Sequence, residues 1–599
     1  TKYILDDDNN FVLDANGERQ FNLTRAGFSI TEALINNPEI QNTTFLIGGF
    51  SAKADITDHI SNTFKIGATN TSYRREYFIA PGSVLDGYVG DAQNPGIKTD
   101  NGSNELDYTI TNLLSYSNTF AEKHNVKLTG LFEFNKRTLR NYSLSSNGFS
   151  NDFLSVQAVA TVPTAASTNY FERALLAYGA FLDYDYDGKY LATASIRRDG
   201  SSTFGQNNRY GVFYSGSLAW NISKENFLSG NSTINDLKLR ASVGTSGNSN
   251  GLASYGAVPT LGFGSLNGAA TAIPTDNGNA DLGFEKNFIF DVGVEFSLLN
   301  RRLSGVIDYY ERTTSDLLLN APLSSLGGEP DGVIFSNIGE MVNKGLEIKL
   351  TGDIIRGDNP GDFNLTLGGN IAFLDNEVTK LVSTQESPDG EDIIVGDNII
   401  RVGEEIYTYN LVRWAGVNPA NGEPLWYDAD GNITNQYNAD DLQVLSGKSP
   451  LAKFDGGVNL FMSYKGFDLA ADFYYKVGNY VQNFMESNML SDGQSVDANQ
   501  RVDAFNYWRN PGDTNVLPSP LYGNEAQNSS DRWLQKGDYV RLRNLTLGYN
   551  LPTSFTQKMK IERLRLFLQG QNLWTYAPYF NGDPEVGIGS GETANGVGF

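Results

Sequence analysis

Residues 171–248 read FERALLAYGAFLDYDYDGKYLATASIRRDGSSTFGQNNRYGVFYSGSLAWNISKENFLSGNSTINDLKLRASVGTSGN. Four segments of this stretch alternate apolar and polar side chains with the period of two that marks a β-strand. In the first, Tyr178, Ala180, Leu182, Tyr184 and Tyr186 share one face, and Gly179, Asp183 and Asp185 share the other. Asp187-Gly188 then supplies a two-residue hairpin turn, since both residue types tolerate positive φ. The return segment sets Tyr190, Ala192, Ala194 and Ile196 against Thr193, Ser195 and Arg197. Tyr214, Leu218, Trp220 and Ile222 then oppose Ser215, Ser217 and Asn221, and Leu237, Leu239, Ala241 and Val243 oppose Lys238, Arg240, Ser242 and Gly244. A soluble sandwich alternates too, but its strands average about five or six residues. These run longer, carry aromatics near their ends and keep charge on one face. Such a sheet is built to meet lipid on one side and water on the other, which is the pattern of a membrane-spanning β-barrel.

The bulk composition agrees. The chain has 599 residues with no composition break that divides it, and 40% of them are hydrophobic. It contains no run of 18 apolar residues, so no membrane-spanning helix is expected. A barrel escapes that test because only alternate residues need be apolar. The 31 Tyr and 35 Phe are material for aromatic girdles at the membrane interfaces. A net charge of −24 argues against a phosphate-tracking nucleic-acid binder. The absence of cysteine excludes disulfides and thiolate metal sites. The start, Thr1-Lys2-Tyr3-Ile4, does not read as a signal peptide.

Along the chain, residues 1–42 read as a loop with acidic turns at 6–9 and at Asn16-Gly17. Hairpins follow at 43–54/61–74, 106–120/125–137, 171–186/189–199, 212–222/236–246, 286–298/302–314, 343–353/363–375, 452–464/467–478 and 538–551/562–575. That makes sixteen strands in eight hairpins, separated mostly by long polar segments. Short turns on one rim and long loops on the other match the periplasmic and extracellular sides of outer-membrane barrels. Both ends of the sequence fall on the long-loop side, so strands are expected before Thr1 and after Phe599. A phase change between Val540/Leu542 and Leu545/Leu547 predicts a β-bulge at Arg543-Asn544.

Several segments go further. Ser195-Ile-Arg-Arg-Asp-Gly-Ser-Ser-Thr-Phe-Gly205 with Asn208-Arg-Tyr-Gly211, Ser217-Leu-Ala-Trp-Asn-Ile-Ser223, Leu237-Lys-Leu-Arg-Ala-Ser-Val-Gly244, Asn343-Lys-Gly-Leu-Glu-Ile348, Gly537-Asp-Tyr-Val-Arg-Leu-Arg-Asn-Leu-Thr-Leu-Gly-Tyr549, Leu564-Arg-Leu-Phe-Leu-Gln-Gly-Gln-Asn-Leu573 and Asp583-Pro-Glu-Val586 occur in that order. Together they resemble the SusC/RagA family of TonB-dependent outer-membrane transporters of Bacteroidetes. The resemblance implies a 22-stranded barrel with an N-terminal plug and a SusD-like surface lipoprotein as lid. The sixteen strands here would be the sixth to the twenty-first, so residues 1–599 would be an incomplete barrel domain without plug, TonB-contacting segment or closing strand. Arg197, Arg198 and Asp199 are expected to form an ion-pair and turn network at a strand's outer end.

Catalytic and metal chemistry finds little purchase. Asp183, Asp185, Asp187 and Gly188 match the first half of an EF-hand loop, but Ala194 stands where the bidentate Glu belongs, so a hairpin turn is expected. Asp428, Asp430 and Asn432 read as a turn for a similar reason. The two histidines, His59 and His124, lie in predicted short turns, too far apart in sequence to suggest a zinc site or a triad. Gly262–Gly268 reads as a flexible loop rather than a phosphate cradle. No cofactor and no enzymatic activity is expected. Substrate contact, if it comes from the loops, falls to Trp414, Trp426, Trp508 and Trp533, whose indole faces can stack on a sugar or a peptide side chain.

The function expected is import of a large nutrient, an oligosaccharide or peptide, across the outer membrane. Energy would come through TonB, and a SusD-like lipoprotein, the ligand and outer-membrane lipid would be the partners, with no nucleic acid. Asp183, Asp185, Lys238, Arg240, Asp291, Glu295, Glu347 and Lys349 would line the wet interior. A passive porin and a secreted β-rich adhesin are the alternatives.

Overall fold

The structure, a computed structural model, describes residues 10–13, 34–249, 254–322, 332–359, 361–383, 387, 390–494, 500–521, 523, 525–580 and 582–585. The acidic turns at 6–9 and 16–17, Pro360 and Val586 lie outside them. One antiparallel sheet of sixteen strands dominates. Its strands are β1 (Glu39–Asp55), β2 (Ile60–Ile79), β3 (Ile97–Phe120), β4 (His124–Asn147), β5 (Val162–Tyr186), β6 (Tyr190–Ser201), β7 (Tyr210–Asn221) and β8 (Ile234–Asn248). They continue as β9 (Glu285–Leu298), β10 (Leu303–Ser315), β11 (Glu340–Ile355), β12 (Asn364–Lys380), β13 (Phe454–Tyr464), β14 (Phe467–Val477), β15 (Tyr539–Asn550) and β16 (Arg565–Tyr576). Each strand pairs with its sequence neighbours, and β1 and β16 are each paired along one edge only among the described residues.

The alternation falls as the sequence predicts. Cross-strand partners Ile196 and Tyr214 are 55% and 57% exposed, and Tyr178 and Leu218 are 50% and 67%. In a sandwich these residues would form the buried layer; here they form an apolar outer surface, which removes the adhesin alternative. The opposite face carries ion pairs. Arg240 binds Asp291 at 2.9 Å and Asp308 at 2.6 Å, and Arg197 binds Asp199 at 2.6 Å and Glu133 at 3.0 Å.

Turns close one rim. Asp187 and Gly188 have φ of 54° and 65°, and Lys465 and Gly466 of 47° and 88°, the primed-turn geometry that follows the twist of paired strands. The bulge is present: against β14, Asp472 and Phe473 are consecutive but pair with Asn544 and Leu542, leaving Arg543 as the extra residue of β15. That one-residue insertion returns Leu545 and Leu547 to the outer face.

Four expectations need correction. Strand β1 begins at Glu39, inside the segment read as loop. His124 is the first residue of β4 and pairs with Tyr186, rather than sitting in the turn. Residues 262–268 are most of the first strand and the turn of a hairpin, Thr260–Leu266 with Ala269–Asp276, turned at Asn267-Gly268. Finally, much of the polar segments 75–105 and 138–170, expected as long loops between the hairpins, is strand, because β2 to β5 continue well past the lipid band. Beyond that band both faces meet water, so the hydrogen-bond ladder persists while the alternation that reveals it disappears.

Candidate functional site

The two longest connections, between β12 and β13 and between β14 and β15, fold onto each other above the sheet. The first is seated by apolar packing. Val378, Leu381, Ile400, Ile406 and Tyr407 join Leu317, Leu319 and Met341 in one buried cluster over the outer ends of β10 to β12. Asn376 fixes the joint: its carbonyl oxygen accepts from the Ile406 N–H at 2.8 Å, and its amide donates to Asn343 at 2.8 Å. A second cluster of Tyr409, Leu411 and Leu445 packs against Tyr480 and Leu534 of the other connection. The Tyr409 hydroxyl donates to the Tyr480 carbonyl at 3.2 Å. Burial pushes the phenols of both Tyr407 and Tyr409 up to about 12, because a phenolate would have to give up its water.

At the centre of this platform lies a pillar that the sequence did not announce. The Arg532 guanidinium lies 4.7 Å from the Trp414 ring and 4.2 Å from the Trp533 ring. It donates to both carboxylate oxygens of Asp492, at 2.7 and 3.2 Å, and to the Ala526 carbonyl at 2.9 Å. Both side chains are nearly dry, at 8% and 1% exposure. Trp426 packs edge-on against Trp414 and Tyr437, and the Trp414 N–H donates to Asp531 at 2.7 Å. Three of the four sequence-nominated tryptophans therefore meet in one place. Trp426 and Trp533 are 1% and 2% exposed, whereas Trp414 is half-buried. Trp508 stands apart and is also half-buried. Its indole donates to the Pro419 carbonyl at 3.0 Å and lies on Gly422, where a Cβ would come within 2.6 Å of the ring.

Asp428 caps its own turn by accepting from the Asn432 N–H at 2.7 Å. That bond holds its carboxyl below the usual range. The aspartate-rich segment closes a turn, and among the described residues no group of three His, Asp or Glu is placed to hold a metal ion.

The segments quoted from the sequence turn out to be anchors. Phe204 is 1% exposed and packs with Phe213, Leu282, Phe284 and Leu318, its ring 4.3 Å from that of Phe284. Asp583 and Glu585 reach back to Arg541 at 2.5 and 2.8 Å, and Tyr539 donates to Glu585 at 2.9 Å. The expected Arg197–Arg198–Asp199 network is split. Arg197 turns inward to its two carboxylates, while Arg198 turns outward and stacks on Tyr210 at 4.4 Å.

Residues 2–483 match the family described as TonB dependent receptor-like, beta-barrel. The chain belongs to that family. Its β-barrel relatives include the TonB-dependent receptor P3 of Formosa agariphila, 32% identical over 79% of this chain and 48% of that protein. The TonB-dependent receptor SusC of Bacteroides thetaiotaomicron is 29% identical over 69% of this chain and 42% of its own length. Among solved structures, the RagAB peptide transporter superposes with a TM-score of 0.82 at 26% identity, covering 94% of this chain and 61% of that chain. This TonB-dependent receptor barrel thus spans about half the length of the curated relatives it matches. The family is one of receptors and transporters of the outer membrane, which places the apolar outer face of the sheet in lipid.

Proposed function

We propose that this chain supplies the barrel wall and mouth of a TonB-energised importer for a large nutrient, an oligosaccharide or a peptide. In this reading further strands pair with the free edges of β1 and β16, a plug occupies the ion-paired interior, and a SusD-like surface lipoprotein covers the loops. The observation that carries it is the combination of an apolar outer face, a charged inner face and a packed platform at one rim, all on one continuous ladder. RagAB is described as a peptide transporter, and its likeness to this chain supports the same class of cargo. Trp414 and Trp508, the two half-buried indoles, are the candidates for ligand contact. Trp426 and Trp533 hold the platform together around Trp414.

The test is uptake in the source bacterium. Deleting the gene should abolish import of one labelled oligosaccharide or peptide class, and removing TonB should abolish the same import. Uptake unchanged across both classes would defeat the proposal. Uptake that survives loss of TonB would point to a passive porin instead.

A further inference from the structure

Arg198 continues the outward row of β6 that runs from Tyr190 through Ala192, Ala194 and Ile196, and it faces Val212 on β7. It lies eight residues beyond Tyr190. At about 3.3 Å per residue and a tilt of about 40°, that lifts it ~20 Å above the periplasmic aromatic ring, close to the ~25 Å height of an apolar band. The guanidinium is exposed, and its underside is covered by the half-exposed Tyr210 ring, 4.4 Å away. Among the described residues no carboxylate pairs with it.

The arrangement recurs on the neighbouring strands, further from the membrane centre. Arg140, on the outward row of β4, faces Tyr170 of β5 and lies 5.1 Å from its ring. The Tyr170 hydroxyl donates to Glu172, but that carboxylate is taken by Lys136 at 3.0 Å. The periplasmic rim differs, since there Lys189 is neutralised by Glu225 at 3.2 Å.

A bare cation on the lipid face is costly in the band and tolerated only at its border, where it meets anionic headgroups. Stacking on tyrosine fixes the guanidinium plane while leaving its N–H groups pointing outward, free for bidentate contact with phosphate. We infer that Arg198 forms a binding site on the barrel's outer wall for the phosphate groups of outer-leaflet glycolipid headgroups, Arg140 standing eight residues further along the strands, outside that site. The inference rests on the outer-membrane placement of this face.

The experiment uses the full-length protein extracted from its own membrane, stripped of lipid and titrated with a phosphorylated lipid A or the same lipid enzymatically dephosphorylated. Retention is read by native mass spectrometry. The unaltered protein should prefer the phosphorylated lipid by roughly tenfold, the scale of one hydrogen-bonded charge contact. Arg198→Gln should erase that preference, Arg140→Gln should leave it, and Arg198→Lys should keep part of it. Equal retention of the two lipids by the unaltered protein would overturn the inference without any variant having to fold. Displacement of the lipid by inorganic phosphate alone would overturn its assignment to a headgroup. Recovery of the protein in the soluble fraction would instead defeat the membrane placement itself.

Discussion

Replacing Asp492 by Asn tests whether the loop platform is held by its central ion pair. The change is nearly isosteric, and Asn is among the few side chains at ease with the φ of 45° at this position, so the backbone need not move. What is lost is the negative charge opposite a guanidinium that is itself only 8% exposed. Removing one partner of a buried pair costs about 3–5 kcal/mol. Some of that is retained here, because Arg532 keeps the Ala526 carbonyl and both indole faces, and stacking on desolvated rings contributes about 2 kcal/mol. A local loss of about 1–3 kcal/mol is expected, equivalent to a roughly 5- to 150-fold rise in opening. Hydrogen exchange of the detergent-solubilised protein should show this at Trp414, Arg532 and Trp533, with β-strand amides unchanged. Unaltered protection at those three positions would refute the argument, as would a loss spread evenly over the barrel.

Phe204→Ala should cost about 3–5 kcal/mol, as expected for a large aromatic removed from a dry cluster, and urea refolding into detergent micelles would measure it. Gly422→Ala has two penalties, a Cβ driven into the Trp508 ring and an L-residue at φ 77°. Trp508 should leave its perch, seen as a red shift in tryptophan emission that Trp508→Phe abolishes. Tyr407 and Tyr409 give a pH dependence of known sign. Burial favours the neutral phenol and raises the folded-state value, so their contribution is complete below the ordinary value near 10 and is lost as pH rises through about 12. Ultraviolet titration should show two fewer late-ionising phenols in the doubly Phe-substituted protein than in the unaltered one, and loop protection should collapse over the same interval.

What could be read from the sequence followed from where lipid imposes a pattern. Between Tyr190 and Ile196 every second residue must be apolar, so that strand declares itself, and the slip at Arg543 is visible because the pattern must resume on the same face. Above the membrane that constraint lapses. Thr99, Asn101 and Ser103 pair with Ser145, Ser143 and Asn141 in an unbroken ladder, yet such a polar run reads as loop. The hairpin at 260–276 hid differently, since glycines interleaved with Leu261 and Phe263 look flexible. Its Asn267-Gly268 turn was nevertheless a usable signal. The pillar was not legible at all. Trp414, Asp492 and Arg532 are brought together only by how two long connections fold, and no local period encodes that.

The same unbroken ladder sets a height. Strands β3 and β4 each contain 24 residues, or ~79 Å of chain at about 3.3 Å per residue, whereas crossing the hydrocarbon takes about 9–11. More than half of each strand is therefore scaffold standing in water. On this side the wall rises well clear of the lipid as one hydrogen-bonded ladder instead of slack loops.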